Sequence, residues 1–167
     1  MASVFSHPAV PLALSAWFPA GALTPQTVAL GMLCAVAPDL DALGYFLGIP
    51  YGHLFGHRGF SHSVVFALLL AAGLTGLLGG GATVFLFLFL STLSHPLLDA
   101  MTNGGLGIAF LSPFSNERFF FPFRPLEVPP LGVRAFFGPR GWTVLKSELA
   151  WIWLPCLGAF ILGRSIR

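Results

Sequence analysis

Charge is scarce in this sequence. Asp, Glu, Lys and Arg make up 8% of its 167 residues, against roughly 25% in a soluble domain. That shortage excludes a water-soluble globule, and a hydrophobic content of 56% makes the bilayer the natural solvent. The shortage is also uneven: residues 1–38 and 63–98 carry no Asp, Glu, Lys or Arg at all. A net charge of +2, spread thinly and without aromatic–basic interleaving, excludes a nucleic-acid partner. The two cysteines, Cys34 and Cys156, both lie in apolar runs, which rules out a disulfide framework or a zinc knuckle. No H-E-x-x-H occurs, which counts against a metalloprotease of that type. The N-terminal segment lacks the positive n-region of a cleaved signal and is expected to stay on the mature protein. No internal repeat is visible, and the length fits a single domain over residues 1–167.

Apolar segments fill most of the chain. A membrane span needs about 20 apolar residues, with a range of about 17–25. Residues 8–23 form a short stretch interrupted by proline, and 24–38 a second helix with Thr24 as N-cap and Pro25 at the first helical position. A polar loop, 39–61, follows. Residues 62–79 and 82–101 form two clean apolar helices joined at GGGA, 79–82. A long segment, 102–141, is rich in Gly, Pro and Phe, and 142–163 is the last span, with Trp142 as an interfacial anchor. The expectation is an all-α, polytopic membrane bundle of about four to five helices.

Two helical hairpins have a geometric consequence. The ends of 8–23/24–38 and of 62–79/82–101 return to one membrane face, so His7, Asp39, Asp41, His57, His62, His95 and Asp99 converge there. His95 and Asp99, four apart, stand about 40° round a helix from each other. They can share an ion or simply hydrogen-bond. Asp39 and Asp41, in PDLD, diverge in a helix but face one way in an extended segment. Pro38 and Gly44 favour the break, and Asp39 could also serve as an N-cap. His57 and His62, in GHRGFSHS, can address one ion if His57 lies in the loop and His62 in the first helical turn, with Ser61 as N-cap. Three aspartates with only Arg58 near them invite a divalent cation. Ionisable groups at the end of a membrane helix are usually paired and functional. In the long segment, Asn103 follows Asp99 closely, and Arg118 and Arg124 lie among phenylalanines. The two arginines can grip a phosphate or merely snorkel to the interface.

SHPAVPLAL, PDLD, GHRGFSHS, LSHPLLDAMTNGG and SPFSNERFFFPFRPL, in this order over roughly residues 5–130, resemble the YdjM-like family. These are LexA-regulated inner-membrane proteins of bacteria and archaea, described as metal-dependent hydrolases and grouped distantly with zinc-dependent phospholipase C and P1-type nucleases, and the resemblance implies a bacterial or archaeal cytoplasmic (inner) membrane, multi-pass. The resemblance implies His7, Asp39, His57, His62, His95 and Asp99 as metal ligands and Asp41 as the second carboxylate of the family's D-x-D. Many members have His after that carboxylate; here it is Ala42, so that position offers no ligand.

Imidazoles mixed with carboxylates suit Zn²⁺ first and Mn²⁺ second, with one to three ions. The expected activity is hydrolysis of a phosphoester or lipid-derived substrate through a metal-activated water. Asp41 serves as general base, Arg58 neutralises developing charge, and Arg118, Arg124 and Asn103 bind substrate. The partners are the lipid bilayer and a phospholipid substrate. The alternative is a non-catalytic membrane protein with a structural metal site or an ion-transport role. Of the basic residues, Arg58, Arg118, Arg124, Arg134, Arg140 and Lys146 fall on the site face, and Arg164 and Arg167 on the other. The positive-inside rule then places the site in the cytoplasm.

Overall fold

The structure, a computed structural model, describes residues 1–130 and 136–166. Arg134 and Arg167, counted above for orientation, lie outside the described residues. Among the described residues the chain is helical, and strand pairing is limited to isolated bridges at Thr102–Leu126 and Ile108–Phe119. The helices are α1 (Ala9–Ser15), α2 (Pro25–Cys34), α3 (Val64–Leu77), α4 (Ala82–Ala100) and α5 (Pro139–Ser165). A 3₁₀ stretch, Ala37–Leu47, continues α2. Pro25–Leu47, Ala82–Ala100 and Pro139–Ser165 are long and apolar enough to cross a membrane, judged by length and composition. At 14 residues, α3 rises only about 21 Å, short of a full span.

Local chemistry sets the helix starts. Thr24 caps α2 by accepting the Thr27 N–H, and Pro25 follows at the first helical position. The cap of α3 is Ser63, which accepts the Phe66 N–H, and not Ser61. Ser61 is turned toward Asp41 instead. The turn between α3 and α4 is made by glycines, with Gly79 at φ +62°, a conformation glycine adopts without penalty. Helices α2 and α4 cross closely at Gly31, where a Cβ would fall 2.4 Å from the Phe87 ring. Small residues allow such approach between membrane helices. Phe18, Cys34, Ala71, Phe87 and Leu88 form the buried cluster beneath.

The segment PDLD is neither the extended break that lets both carboxylates face one way nor a helix capped by Asp39, since the cap position is Val36. It lies in the 3₁₀ stretch, with three residues per turn. Asp39 and Asp41 therefore point to different sides, and Leu40, Leu43 and Phe46 share an exposed row. The difference matters at the site, because each carboxylate meets its own partners.

Candidate metal centre

Four side chains from three segments bring bare donor atoms together: Asp39 from the 3₁₀ stretch, His62 from the turn ahead of α3, and His95 and Asp99 from α4. The Nε2 atoms of His62 and His95 are 3.1 Å apart. Asp39 Oδ1 lies 3.4 Å from His95 Nε2 and 3.9 Å from His62 Nε2. Asp99 Oδ2 lies 3.7 Å from His62 Nε2 and 3.9 Å from His95 Nε2. Tetrahedral ligands about 2.0–2.1 Å from a zinc ion are roughly 3.3 Å from one another, so the set has the spacing of a ligand shell. His62, His95 and Asp99 are fully buried, yet among the described residues both Asp39 oxygens and Asp99 Oδ2 have no hydrogen-bond partner. Buried polar atoms are seldom left so.

The far sides of the two imidazoles decide their tautomers. His95 Nδ1 is 2.7 Å from the Ala35 carbonyl oxygen, which can only accept. His62 Nδ1 is 3.0 Å from Asp41 Oδ2. Each Nδ1 therefore donates, and in a neutral ring each Nε2 presents a lone pair. Burial pushes the His62 pKa down, against the pull of Asp41, which favours that neutral ring. With both rings neutral, two lone pairs would face each other across 3.1 Å, an arrangement that needs a cation or a shared proton between them. A carboxylate holding the remote nitrogen of a ligand histidine is a common support at metal sites, and Asp41 stands in that place.

Asp41 is otherwise fully engaged. Its oxygens also accept from His57 Nδ1 at 2.6 Å, Ser61 Oγ at 2.6 Å and the Arg58 N–H at 3.0 Å. A carboxylate with four partners has little basicity to spare. His57, expected among the ligands, joins Asp41 and His62 in a second group within ligand reach. The short His57–Asp41 contact is a hydrogen bond rather than a ligand-to-ligand spacing.

His7, at the end of the N-terminal segment, reaches the centre from the other side. It is fully buried, its ring stacks on His95 at 3.8 Å, and Nε2 lies 3.6 Å from Asp99 Oδ1. Among the described residues neither ring nitrogen has a hydrogen-bond partner. Burial, aided by His95, drives its pKa from 6.5 to about 3. The sign of the linkage follows. Above pH 6.5 both folded and unfolded forms hold His7 neutral; below it the unfolded chain takes up a proton that the folded one refuses. The metal-free protein is therefore expected to lose stability steadily as pH falls from about 6.5 toward 3. His7→Phe should flatten that slope in thermal melts taken in detergent.

Arg58 adopts a left-handed conformation at φ 62°. Its N–H binds Asp41, its carbonyl accepts from Ala109, and the next residue, Gly59, is so enclosed that a Cβ would fall 2.3 Å from the Leu54 oxygen. That turn aims the guanidinium inward: Nε is 3.3 Å from Asp99 Oδ2, and the two amino groups donate to Gly104 O at 2.8 Å and Thr102 Oγ1 at 2.9 Å. At 1% exposure it is a counter-ion to Asp99.

The three expected substrate contacts stand apart from the four donors. Arg118 donates to the carbonyls of His57 and Tyr51 and covers the Tyr51 ring, bracing the histidine loop. Arg124 is exposed and lies 4.9 Å over Phe120. Asn103 donates to Glu127 and accepts from the Val128 N–H.

Sequence reasoning missed Glu148. It is fully buried in α5 and accepts from Ser3 N–H, Ser3 Oγ at 2.6 Å and Ser6 Oγ at 2.8 Å. A signal was present: it is the lone acid in the last apolar span, and such a group demands a partner.

Comparison with known proteins gives the family. No solved structure matches the chain, so the expected kinship with phospholipase C and P1-type nucleases has no structural support. The chain is 40% identical over 168 residues to "Inner membrane protein YbcI" of Escherichia coli (strain K12), covering 98% of this chain and 96% of that one. The family model for YdjM inner membrane protein matches residues 1–166, and the chain belongs to that family.

Proposed function

We propose that this chain is a multi-pass inner-membrane hydrolase. It holds a divalent cation, Zn²⁺ before Mn²⁺, between Asp39, His62, His95 and Asp99, and cleaves a phosphoester or lipid-derived substrate. One observation carries the reading: four buried donors stand at the mutual distances of metal ligands, three of their oxygens without hydrogen bonds and both imidazoles turned by Nδ1 contacts to face inward. Charge supports it. Among the described residues, Asp39, Asp41 and Asp99 gather three carboxylates around the Arg58 guanidinium, with the Met1 ammonium 3.8 Å from Asp99 Oδ2 and Arg118 further out beside Asp41. Asp39 has no cation of its own at hydrogen-bond distance among the described residues, a divalent ion would supply one, and uncompensated buried charge is costly.

When bound, such an ion supplies Lewis acidity and brings the pKa of a water to about 7. The chain's own residues prepare the site for it. Asp41 orients His62, the Ala35 carbonyl orients His95, Arg58 fixes Asp99, and His7 offers a further nitrogen beside Asp99 Oδ1. Arg124, exposed among phenylalanines, is placed to meet a phosphate at the membrane surface, with Arg118 and Asn103 shaping the loops beside it.

A second reading is a structural ion without catalysis. It is favoured by the full burial of His62, His95 and Asp99, since structural zinc sites are closed and catalytic ones keep an open position. Elemental analysis of detergent-purified protein, followed by assay of phosphodiester and phospholipid hydrolysis, separates them. Stoichiometric metal with turnover supports the hydrolase. Metal without turnover supports the structural ion, and protein that takes up no divalent metal rejects both.

A further inference from the structure

The centre's most unusual support is a strap: residues 2–7 lie across the end of α4 and are fastened to α5. Glu148 is the fastening. Its carboxylate receives the Ser3 N–H and the hydroxyls of Ser3 and Ser6, and Trp153 Nε1 donates to Ser6 Oγ at 2.9 Å. The strap is wound tightly enough to pass that hold along, with Ser6 N–H bonded to Ser3 O and Ala9 N–H to Ser6 O. Immediately after Glu148, α5 makes its π turn, Leu149–Trp153. That turn carries Ile152, which is buried in one cluster with Ala2, Ala9 and Leu126.

The strap delivers the Ala2 N–H and His7 to the centre, beside the Met1 ammonium 3.8 Å from Asp99 Oδ2. The Ala2 N–H donates to Asp99 Oδ1 at 2.8 Å, and His7 stacks on His95 with Nε2 3.6 Å from the same oxygen. Among the described residues His7 forms no hydrogen bond through either ring nitrogen. Its position therefore depends on the strap, on stacking and on the approach to Asp99. An acid inside an apolar span is expensive, and three donors drawn from a segment more than 140 residues away in sequence are a specific use of it.

We infer that Glu148 is a positioning residue for the metal centre, clamping the strap so that His7 and the Ala2 N–H hold Asp99 in ligating geometry. This rests on the metal reading. The test uses the full chain in detergent, with Co²⁺ as a spectroscopic probe and Zn²⁺ for affinity. Glu148→Ala is expected to reproduce the altered Co²⁺ visible spectrum of His7→Ala. It should also weaken Zn²⁺ binding by about 10–100-fold, the range for loss of a group that orients ligands. Glu148→Gln, which keeps one acceptor, should fall between Ala and wild type. A purely structural residue would lower thermal stability but leave the spectrum of whatever protein remains folded unchanged. Where Glu148→Ala does not fold, Ser6→Ala and the Ser3→Ala/Ser6→Ala pair weaken the clamp in steps and should shift the spectrum in that order. Wild-type spectrum and affinity in the folded variants overturn the inference. A wild-type protein without Co²⁺ bands overturns the metal reading beneath it, so the two failures are told apart.

Discussion

Replacing His95 with alanine is expected to lower zinc affinity by about two orders of magnitude, whereas His57→Ala should cost less than tenfold. A four-ligand zinc site is worth roughly 10–16 kcal/mol, so one ligand carries about 3 kcal/mol, or two decades in Kd. His95 offers an Nε2 with no function in the polypeptide except to face His62, Asp39 and Asp99. His57 offers Nδ1 to Asp41 alone at 2.6 Å, one step removed from the donors. Asp41→Asn should land between them, about 10–100-fold down, because it frees the remote nitrogen of His62 without removing a ligand. Asp99→Ala should match or exceed His95→Ala, since it also strands the Arg58 guanidinium. Calorimetric zinc titration of the four variants checks the order. Retained affinity in His95→Ala, with loss in His57→Ala, would move the ion to the Asp41–His57–His62 group and overturn the assignment.

That ranking shows how far the sequence could be read. The convergence of seven residues over ninety-odd positions was legible, because a triglycine turn and a Thr-Pro helix start are strong local signals, and hairpins bring their ends together. Which residue does what was not. The split between Asp39, whose oxygens have no hydrogen bond among the described residues, and Asp41, held by four partners, follows from three residues per turn in the 3₁₀ stretch, while Pro38 and Gly44 favour an extended break. The cap position shifted from Ser61 to Ser63 because Ser61 is drawn to Asp41, a tertiary pull that local pattern cannot carry. Glu148 sat in plain view as a charge in an apolar run, but its partners are two serines at the far end of the chain. The inward turn of Arg58 was equally hidden, since a left-handed arginine is not a sequence preference.

Arg58 supplies the second large effect, and its sign separates charge from shape. Arg58→Met keeps much of the side-chain volume and removes the buried cation. Breaking a buried ion pair by deleting one partner costs about 3–5 kcal/mol, so the metal-free variant should melt well below wild type in detergent. Zinc should then recover more stability in Arg58→Met than in wild type, because the ion brings back positive charge beside Asp99. A group needed only for packing predicts equal gains in both proteins. Arg58→Lys retains a charge but lacks the fork that reaches Gly104 O and Thr102 Oγ1 together, and should lie between. Arg58→Gly and Arg58→Ala lose the guanidinium alike and differ only in backbone, where the left-handed conformation costs alanine about 1–2 kcal/mol. Glycine should therefore be the milder of the two. Should Arg58→Met melt like wild type without metal, Asp99 would have to be held neutral by some other means, and the charge balance that calls for a divalent ion would fail with it.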